Sequence, residues 1–366
     1  MQPRILIITD ADDLHSIAVS EALSIRGFDA TLWLTSDFPT RSEETLYFNQ
    51  TQRSLVVQGS DFSLKDDEFD VVWRRRPSYV LDTSLLHPSD RAFADAECGI
   101  FRRSLMSLLA PRAFWVNPPH GAARASSKMI QHQAATAVEL RMPDTIYTNS
   151  PSEVRSFIKA KGGKVVYKPF LPTAWSDGTH SFTPYTALLS DESVIDESLR
   201  LTPGIFQELV PKLYEVRLTM MGRRGFAAKV HSQETLTGRL DWRQAPEELR
   251  FEAFKIPLHL EEKCAALLKE LDLVFGCFDF VVTPEGEFVF LEVNEMGQFL
   301  FVERYCGLPL LDAFSSFLIQ ANVDWEWNEK DVAVRYSDPA FDALILAKAL
   351  SFSQNHVGGP KRLVEE

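Results

Sequence analysis

Two acidic residues in an apolar β-hairpin constrain this sequence more than any other feature. Residues 276–294 form a pattern of two apolar strands joined by a turn at 285–286. A turn centred between those two residues places Asp279 directly opposite Glu292, with Cα atoms about 4.5–5.5 Å apart. The period of two then places Asn294 on the same face as Glu292. The pattern predicts two carboxylates and an amide oxygen that converge in an apolar setting.

Such an arrangement requires a compensating positive charge. Like charges that face each other on neighbouring strands are destabilising, and burial increases that cost. We favour a divalent cation, because Mg²⁺ usually takes one or two carboxylates together with substrate phosphates. The alternatives are that one acid is protonated, or that the turn slips by one residue and directs one carboxylate to solvent.

A second strand carries an acid and a base on one face. Alternation over residues 213–221 places Glu215, Arg217 and Thr219 together, with an apolar face behind them. Charged residues two apart on a strand more often belong to a solvated face. The neighbouring acidic hairpin favours a buried, functional pair instead.

A lysine inside an apolar strand indicates an anion-binding site. Lys168 lies within the apolar run 164–170, and lysine is seldom buried without a partner. Its side chain either reaches solvent from the end of the strand or meets an anion such as phosphate. The following polar loop, residues 171–183, is long enough to form a flexible lid. The sequence has no Walker A motif and no G-x-G-x-x-G, which excludes both phosphate-binding signatures.

The remaining pattern predicts several domains. Apolar strands at 5–8, 29–34 and 70–73 alternate with helical patterns, with a long polar stretch before the third strand. A single helix is expected over 123–139, and the tail from Asn355 is expected to be loose. The expected domains are residues 1–118, 119–206, 207–322 and 323–366.

Composition excludes other classes of protein. Lysine and arginine number 38 against 51 acidic residues, and the net charge of −13 disfavours nucleic acid and anionic membranes. The four cysteines form no C-x-x-C pair, so they predict neither a zinc site nor a disulfide framework. No apolar run is long enough to span a membrane, and the N-terminus lacks a signal-peptide pattern. We therefore expect a cytoplasmic protein.

The combination of these residues resembles the ATP-grasp superfamily. Lysines, a hinge, an acid and a D…E-x-N pattern occur in the superfamily's order over residues 119–322. The resemblance implies an N-terminal pre-ATP-grasp α/β domain followed by a two-lobed α+β ATP-grasp fold. It also implies ATP and Mg²⁺, with two ions expected.

The resemblance assigns a role to each candidate residue. The expected ATP-binding residues are Lys128 and Lys168 at the phosphates, Glu215 at the ribose, and Gln207, Glu208 and the backbone of Val210 at adenine. The expected metal ligands are Asp279, Glu292 and Asn294. Arg217 is the expected catalytic residue, stabilising charge on the transferring phosphoryl group and on the later oxyanion.

A narrower resemblance, to the graspetide synthetases that include the microviridin ligases, covers nearly the whole chain. It rests on segments 13–19, 37–39, 72–77, 115–118, 207–217, 226–227, 232–233, 241–243 and 294–298, and on Lys128 with Gln131. Those enzymes phosphorylate an Asp or Glu side chain of a ribosomally made peptide, which a Ser or Thr hydroxyl or a Lys amine then attacks. The resemblance implies ester or amide macrocycles, a precursor peptide with leader and core, and a homodimer.

Candidate peptide-binding residues carry weaker signals. Asp241, Trp242 and Arg243 offer an acid, an aromatic ring and a guanidinium on one short segment. Arg74 and Arg75 end the strand at 70–73 and could meet an acidic peptide. The alternatives are an ordinary polar loop with a half-buried tryptophan, and a strand end exposed to water.

The family pattern also has departures and rivals. Glu295 stands where the graspetide synthetases often have proline, and Cys277 where D-alanyl-D-alanine ligases have arginine, which leaves Arg217 as the charge stabiliser. The general base is not evident; His231 is a weak candidate, and a satisfied sheet histidine is commoner. The rival functions are a ligase for a small amino acid or dipeptide and a catalytically inactive ATP-binding regulator. Retention of the metal ligands and Arg217 argues against the regulator.

Overall fold

The structure is a computed structural model. It describes residues 2–59, 62–65, 68–170, 175–176, 180–182, 186–236, 238–244 and 246–358. Most of the lid expected over 171–183 lies outside these residues. Among the residues described, no helix is both long enough and apolar enough to cross a membrane.

The N-terminal part is built on a parallel four-stranded sheet in the order β2-β1-β6-β7. Its elements are β1 (Ile5–Thr9), α1 (Leu14–Ile25), β2 (Ala30–Leu34), β6 (Val71–Arg74), α2 (Arg91–Leu108) and β7 (Phe114–Val116). Strand β1 is buried along its whole length, because both faces of a parallel sheet are covered. Asp13 begins α1 by accepting a hydrogen bond from the backbone of His15.

The long polar stretch is not a loop. It contains an antiparallel sheet of β3 (Glu43–Phe48), β4 (Arg53–Gln58) and β5 (Ser63–Lys65). Only one side of this sheet is apolar, with Leu55, Val57 and Leu64 buried against the first sheet's core cluster. The sequence analysis assigned no strands to this stretch, because polar residues alternate with these few apolar positions.

The central lobe follows as helices and a four-stranded antiparallel sheet in the order β12-β9-β13-β8. Its elements are α3 (Pro119–Ala125), α4 (Lys128–Ala137), β8 (Thr145–Thr148), α5 (Pro151–Ala160), β9 (Val165–Lys168), β10 (Trp175–Ser176), β11 (Ser181–Phe182), β12 (Ala187–Leu189), α6 (Asp196–Leu201) and β13 (Gly204–Glu208). The single helix expected over 123–139 was wrong. Ser127 interrupts it by capping the N-terminus of α4.

The C-terminal lobe has a five-stranded antiparallel sheet in the order β16-β15-β14-β17-β18. Its elements are β14 (Tyr214–Met221), β15 (Arg224–Val230), β16 (Phe251–Phe254), α7 (Leu258–Glu270), β17 (Phe275–Val282), β18 (Phe288–Asn294), α8 (Leu300–Cys306) and α9 (Leu310–Gln320). Val216 and Leu218 of β14 pack against Leu260 and Leu267 of α7 in one buried cluster. Alternation therefore leaves Glu215 and Arg217 on the opposite face, away from α7.

The chain returns to the N-terminal part through α10 (Pro339–Asn355), which contacts α1. Beyond it, the Asp37 carboxylate accepts from the Val357 backbone at 2.8 Å and lies 2.8 Å from His356 Nδ1. Ser36 donates to the Val357 carbonyl at 2.6 Å. A loose tail was therefore the wrong expectation for residues 355–357, and residues 359–366 lie outside the part described.

Candidate functional site

The acidic hairpin has the expected pairing where its carboxylates lie. Asp279 pairs with Glu292, and Cys277 pairs with Asn294. Nearer the turn the register differs by one, because Phe280 pairs with Phe290 across a β-bulge. A turn centred between residues 285 and 286 was therefore wrong. The bulge restores the register and brings the two acids opposite each other.

Two cationic side chains compensate the acids. Arg217 donates through Nη1 to both carboxylate oxygens of Asp279, each at 2.8 Å. Lys128 forms an ion pair with Glu292. The amide of Asn294 lies between the acids, 3.4 Å from Asp279 and 3.3 Å from Glu292. The turn-slip alternative was wrong, since both carboxylates face this one cluster.

The cluster has the donors of a magnesium site. Asp279, Glu292 and Asn294 provide two carboxylates and an amide, and the two acids keep side-chain exposures of 17% and 24%. Within the described parts of the chain, no three His, Cys, Asp or Glu residues group as a metal site. This small oxygen donor set suits Mg²⁺, which takes its other ligands from water and phosphate.

Strand β14 buries its charged pair instead of exposing it. Glu215 and Arg217 are 6% and 7% exposed, so a solvated face was the wrong alternative. Burial raises the pKa of Glu215, although Lys212, 2.6 Å from its carboxylate, acts in the opposite direction. Burial acts to lower the pKa of Arg217, but the charge and hydrogen bond of Asp279 together with the charge of Cys277 outweigh burial and raise that pKa. Both side chains are therefore held in place by a charged partner.

The two candidate phosphate-binding lysines are partly desolvated. Burial lowers the pKa of Lys128 and of Lys168 to about 8, and for Lys168 the nearby charges of Lys128 and Arg243 act in the same direction. Lys168 donates to the side chain of Gln207 at 2.7 Å, and Gln207 donates to Thr145 at 3.0 Å. Among the residues that the structure describes, the partner of this ammonium is an amide, and a desolvated ammonium of this kind is well suited to receive an anion.

The candidate adenine-binding residues lie along the connection between the two lobes. Gln207 is buried near the end of β13, and Glu208 is partly exposed and lies 3.3 Å from Lys161. Val210 lies in the connection that leads from β13 to β14. The structure thus places these three residues where the lobes join.

The candidate peptide-binding segment is partly a packing element. The carboxylate of Asp241 accepts from Arg243 at 2.6 and 2.8 Å. Trp242 is half-buried and stacks on Phe301, with ring centroids 5.9 Å apart. The ring therefore matches the half-buried tryptophan of the alternative interpretation, while 44% of the Arg243 side chain is exposed.

The arginines at the end of β6 are not a surface patch. Arg75 is 1% exposed, and its Nε lies 3.2 Å from Asp13. Arg74 is half-buried and approaches the sulfur of Met296 at 3.6 Å. A water-exposed strand end was therefore the wrong alternative. In this conformation Arg75 is not accessible to a peptide.

His231 does not lie at the site. It is in contact with Glu252, at 3.2 Å, and with Arg250, at 3.0 Å. Its neighbour Val230 pairs with Glu215 and so shares the site face, which directs His231 to the other side of the sheet. The weak general-base hypothesis for His231 was therefore wrong, and the satisfied sheet histidine is what the structure has.

Two supporting residues were given no role at the site by the sequence, although both belong to the segments that carry the narrower resemblance. Lys212 pairs with Glu215. Gln131 exchanges two hydrogen bonds, both 2.9 Å, with the backbone of Val293, and so ties α4 to β18 beside Lys128. An available signal was the i, i+3 spacing, which puts Gln131 on the helix face of Lys128.

Comparisons with known proteins agree with this architecture. Residues 4–121 match the family model of the MvdD pre-ATP grasp domain, and no curated protein sequence matches the chain. The macrocyclase MdnC from Microcystis aeruginosa MRC, solved with precursor peptide MdnA, has a TM-score of 0.75 and is 26% identical, covering 87% of this chain and 99% of that one.

Two further solved structures have a similar fold. A RiPP-associated ATP-grasp ligase from Chryseobacterium gregarium, in complex with ADP and a leader and core peptide, has a TM-score of 0.74 and is 20% identical, covering 99% of this chain and 100% of that one. The ATP-grasp ligase PsnB, complexed with a precursor variant, Mg and ADP, has a TM-score of 0.67 and is 22% identical, covering 88% and 99%. These likenesses confirm the expected fold class.

Proposed function

We propose that this chain, an ATP-grasp ligase similar to the graspetide synthetases, activates Asp or Glu side chains of a precursor peptide and closes ester or amide macrocycles. The single observation that carries the proposal is the cluster of Asp279, Glu292 and Asn294 with Arg217 and Lys128, within this fold. Ligases need such a cluster to hold a triphosphate and to stabilise charge during phosphoryl transfer.

The nucleotide assignments follow from charge and position. We propose that Lys128 and Lys168 contact the phosphates, and that Glu215 contacts the ribose. Gln207, Glu208 and the backbone of Val210 would bind adenine where the lobes join. The ADP of the C. gregarium ligase and the Mg and ADP of PsnB support the choice of ATP and magnesium.

The chemistry assigned to the chain centres on Arg217. Two Mg²⁺ ions, held through Asp279, Glu292 and Asn294, would neutralise charge on the triphosphate. Arg217 is buried and fixed by Asp279, so it would stabilise the charge that develops on the transferring phosphoryl group and on the later oxyanion. The substrate carboxylate would attack the γ-phosphorus, and a peptide hydroxyl or amine would then displace phosphate.

The partner that we propose is a ribosomal precursor peptide with leader and core. The peptides named in the MdnC and C. gregarium structures support this assignment. Asp241, Trp242, Arg243 and Arg74 remain our candidates for peptide contact. We further propose a homodimer that acts in the cytoplasm, where free thiols such as the four cysteines persist. The proposed domains remain 1–118, 119–206, 207–322 and 323–366.

The test uses the purified chain with ATP, Mg²⁺ and short peptides encoded beside its gene. We expect ADP release that depends on a peptide rich in Thr and in Asp or Glu, and a mass loss of one water for each ring in that peptide. ADP release that responds to small amino acids or dipeptides, with unmodified precursor peptides, would contradict the proposal and favour the small-substrate ligase.

A further inference from the structure

The short loop after β18 is held from three directions. This loop, residues 295–298, connects the strand of the candidate metal ligands to α8. Asn117 donates to the Glu295 carbonyl at 2.8 Å, Arg75 donates to the Met296 carbonyl, and Arg217 donates to the Gln298 carbonyl at 2.9 Å. Two of these three donors belong to the N-terminal α/β part of the chain, far from the hairpin in sequence.

Asn117 uses its whole hydrogen-bonding capacity here. Its side-chain oxygen accepts from the backbones of Val274 and Phe275 at 2.8 and 2.9 Å. Its amide donates to the carbonyls of Phe275 and Glu295 at 2.9 and 2.8 Å. An amide has two donors and a twofold acceptor, so this buried residue is saturated. It ties the start of β17 to the end of β18.

Arg75 forms the second attachment. Its guanidinium, almost fully buried, lies 3.2 Å from Asp13, the N-cap of α1, and reaches the Met296 carbonyl. The sulfur of Met296 also lies 3.4 Å from the backbone nitrogen of Arg76. The end of β6 in the N-terminal sheet therefore contacts both the backbone and the side chain of Met296.

The loop lies directly against the catalytic candidate. A Cβ atom on Gly297 would lie 2.6 Å from the Cβ of Cys277 and 3.2 Å from Nη2 of Arg217. Arg217 itself is divided between two contacts, with Nη1 on Asp279 and Nη2 on the Gln298 carbonyl. A shift of the loop would therefore move the second anchor of the guanidinium.

We propose that Arg75 and Asn117 are positioning residues: they set the loop at 295–298, and the loop sets the orientation of Arg217. The inference rests on the catalytic role proposed for Arg217. It gives the N-terminal part of the chain a function in the reaction, because a misplacement of about 1 Å costs catalysis roughly 100-fold. It also reassigns Arg75, which faces the loop and not a peptide.

The test compares Arg75→Lys with Arg102→Lys. The lysine at 75 keeps a charge for Asp13 but is too short to bind both Asp13 and the Met296 carbonyl. We expect kcat for peptide-dependent ADP release to fall about 10- to 100-fold, with the Kd for ATP within about threefold. Arg102 is also buried in the N-terminal part, at 6% exposure against 1% for Arg75, and contacts Glu44 and not the loop. Arg102→Lys should therefore alter stability but not kcat per folded molecule.

A second variant acts on the loop without touching the N-terminal residues. Gly297→Ala should reproduce the loss of kcat, and Arg75→Lys combined with Arg217→Lys should lose less than the product of the single effects, because both act through one guanidinium. Independent effects, or an unchanged kcat in Arg75→Lys and Gly297→Ala, would overturn the positioning role while the proposed function stands. Wild-type protein without peptide-dependent ADP release would overturn both.

Discussion

Two regions of this molecule bury an arginine against a carboxylate, and they differ in what surrounds the pair. In the C-terminal lobe the partners are Arg217 and Asp279, with side-chain exposures of 8% and 17%. In the N-terminal part they are Arg102 and Glu44, with exposures of 7% and 0%. Judged by burial and pairing alone, the two pairs would be hard to tell apart.

Their surroundings separate them. Arg102 lies over the rings of Trp33 and Phe38, at 5.3 and 5.2 Å from the ring centroids. One oxygen of Glu44 has no hydrogen-bond partner among the residues described. Asp279 instead faces an amide, a second carboxylate and a lysine. A buried ion pair is thus weak evidence of function. Additional oxygen donors that converge on the pair, and that keep some exposure, are stronger evidence.

The largest effect on turnover should come from removing a candidate metal ligand from the cluster of Asp279, Glu292 and Asn294. Glu292→Gln keeps the shape of the side chain but removes the charge, and peptide-dependent ADP release should fall by more than about 100-fold, since even outer-shell partners of metals cost 10- to 100-fold. Glu252→Gln is the control, because Glu252 contacts His231 on the other face of the sheet. Unchanged turnover in Glu292→Gln would remove the metal assignment.

Replacing Arg217 should reduce turnover, whereas replacing Arg102 should reduce stability. Arg217→Ala should reduce turnover by roughly 100- to 1,000-fold and still bind ATP. Arg102→Ala leaves Glu44 buried without its partner, so at about pH 8, where Glu44 is ionised in the wild type, the free energy of unfolding should fall by about 3–5 kcal/mol. Turnover per folded molecule should not change in that variant. Calorimetry with ATP and urea denaturation distinguish these results, and loss of ATP binding in Arg217→Ala would give Arg217 another role.

A smaller effect concerns metal binding without nucleotide. Lys128 is the counter-ion of Glu292. A divalent cation that binds without nucleotide must therefore displace the Lys128 ammonium from the Glu292 carboxylate. Lys128→Met should therefore raise the affinity for free Mn²⁺, measured by electron paramagnetic resonance, by about tenfold, or ~1.4 kcal/mol. Lys168→Met is the matched control, because within the described part of the chain Lys168 donates to the amide of Gln207 and forms no ion pair with a carboxylate. Equal affinity in the wild type and Lys128→Met would show that Lys128 does not compete with the metal.

What the sequence could predict was local. The period of two was sufficient to put Glu215 and Arg217 on one face. The pairing of Asp279 with Glu292 was predicted from a turn centre that was wrong, and the observed pairing depends on the bulge. The ATP-grasp resemblance and the ligase assignment, both confirmed, rest on more of the chain, namely the order of lysines, hinge, acid and D…E-x-N over residues 119–322.

What the sequence could not predict depends on partners distant along the chain. Arg75 looked like a surface residue because Met296, which it binds, is 221 positions away. The tail was expected to be loose because Asp37, which holds His356, is 319 positions away. Polarity alone assigns such residues to solvent. Only the packed fold shows that a buried partner compensates their charge.

The smallest effect is the pH dependence of stability that comes from the buried pair of Arg102 and Glu44. Burial raises the pKa of Glu44 to about 7, although Arg102 acts in the opposite direction. The fold therefore favours protonated Glu44, and this contribution to stability is complete below the ordinary pKa of 4.5 and is lost as the pH rises through about 7. The expected loss is on the order of 1–3 kcal/mol.

Glu44→Gln removes this titration. Its free energy of unfolding, from urea denaturation at about pH 5 and about pH 8, should change less than that of the wild type. Glu43→Gln, at an exposed position of the same strand, should retain the wild-type dependence. If wild type and Glu44→Gln respond equally, Glu44 does not titrate between these pH values, and its ion pair with Arg102 then indicates that it stays ionised. Arg102 and Glu44 would then form an ion pair like that of Arg217 and Asp279, and only the converging oxygen donors would distinguish the two regions.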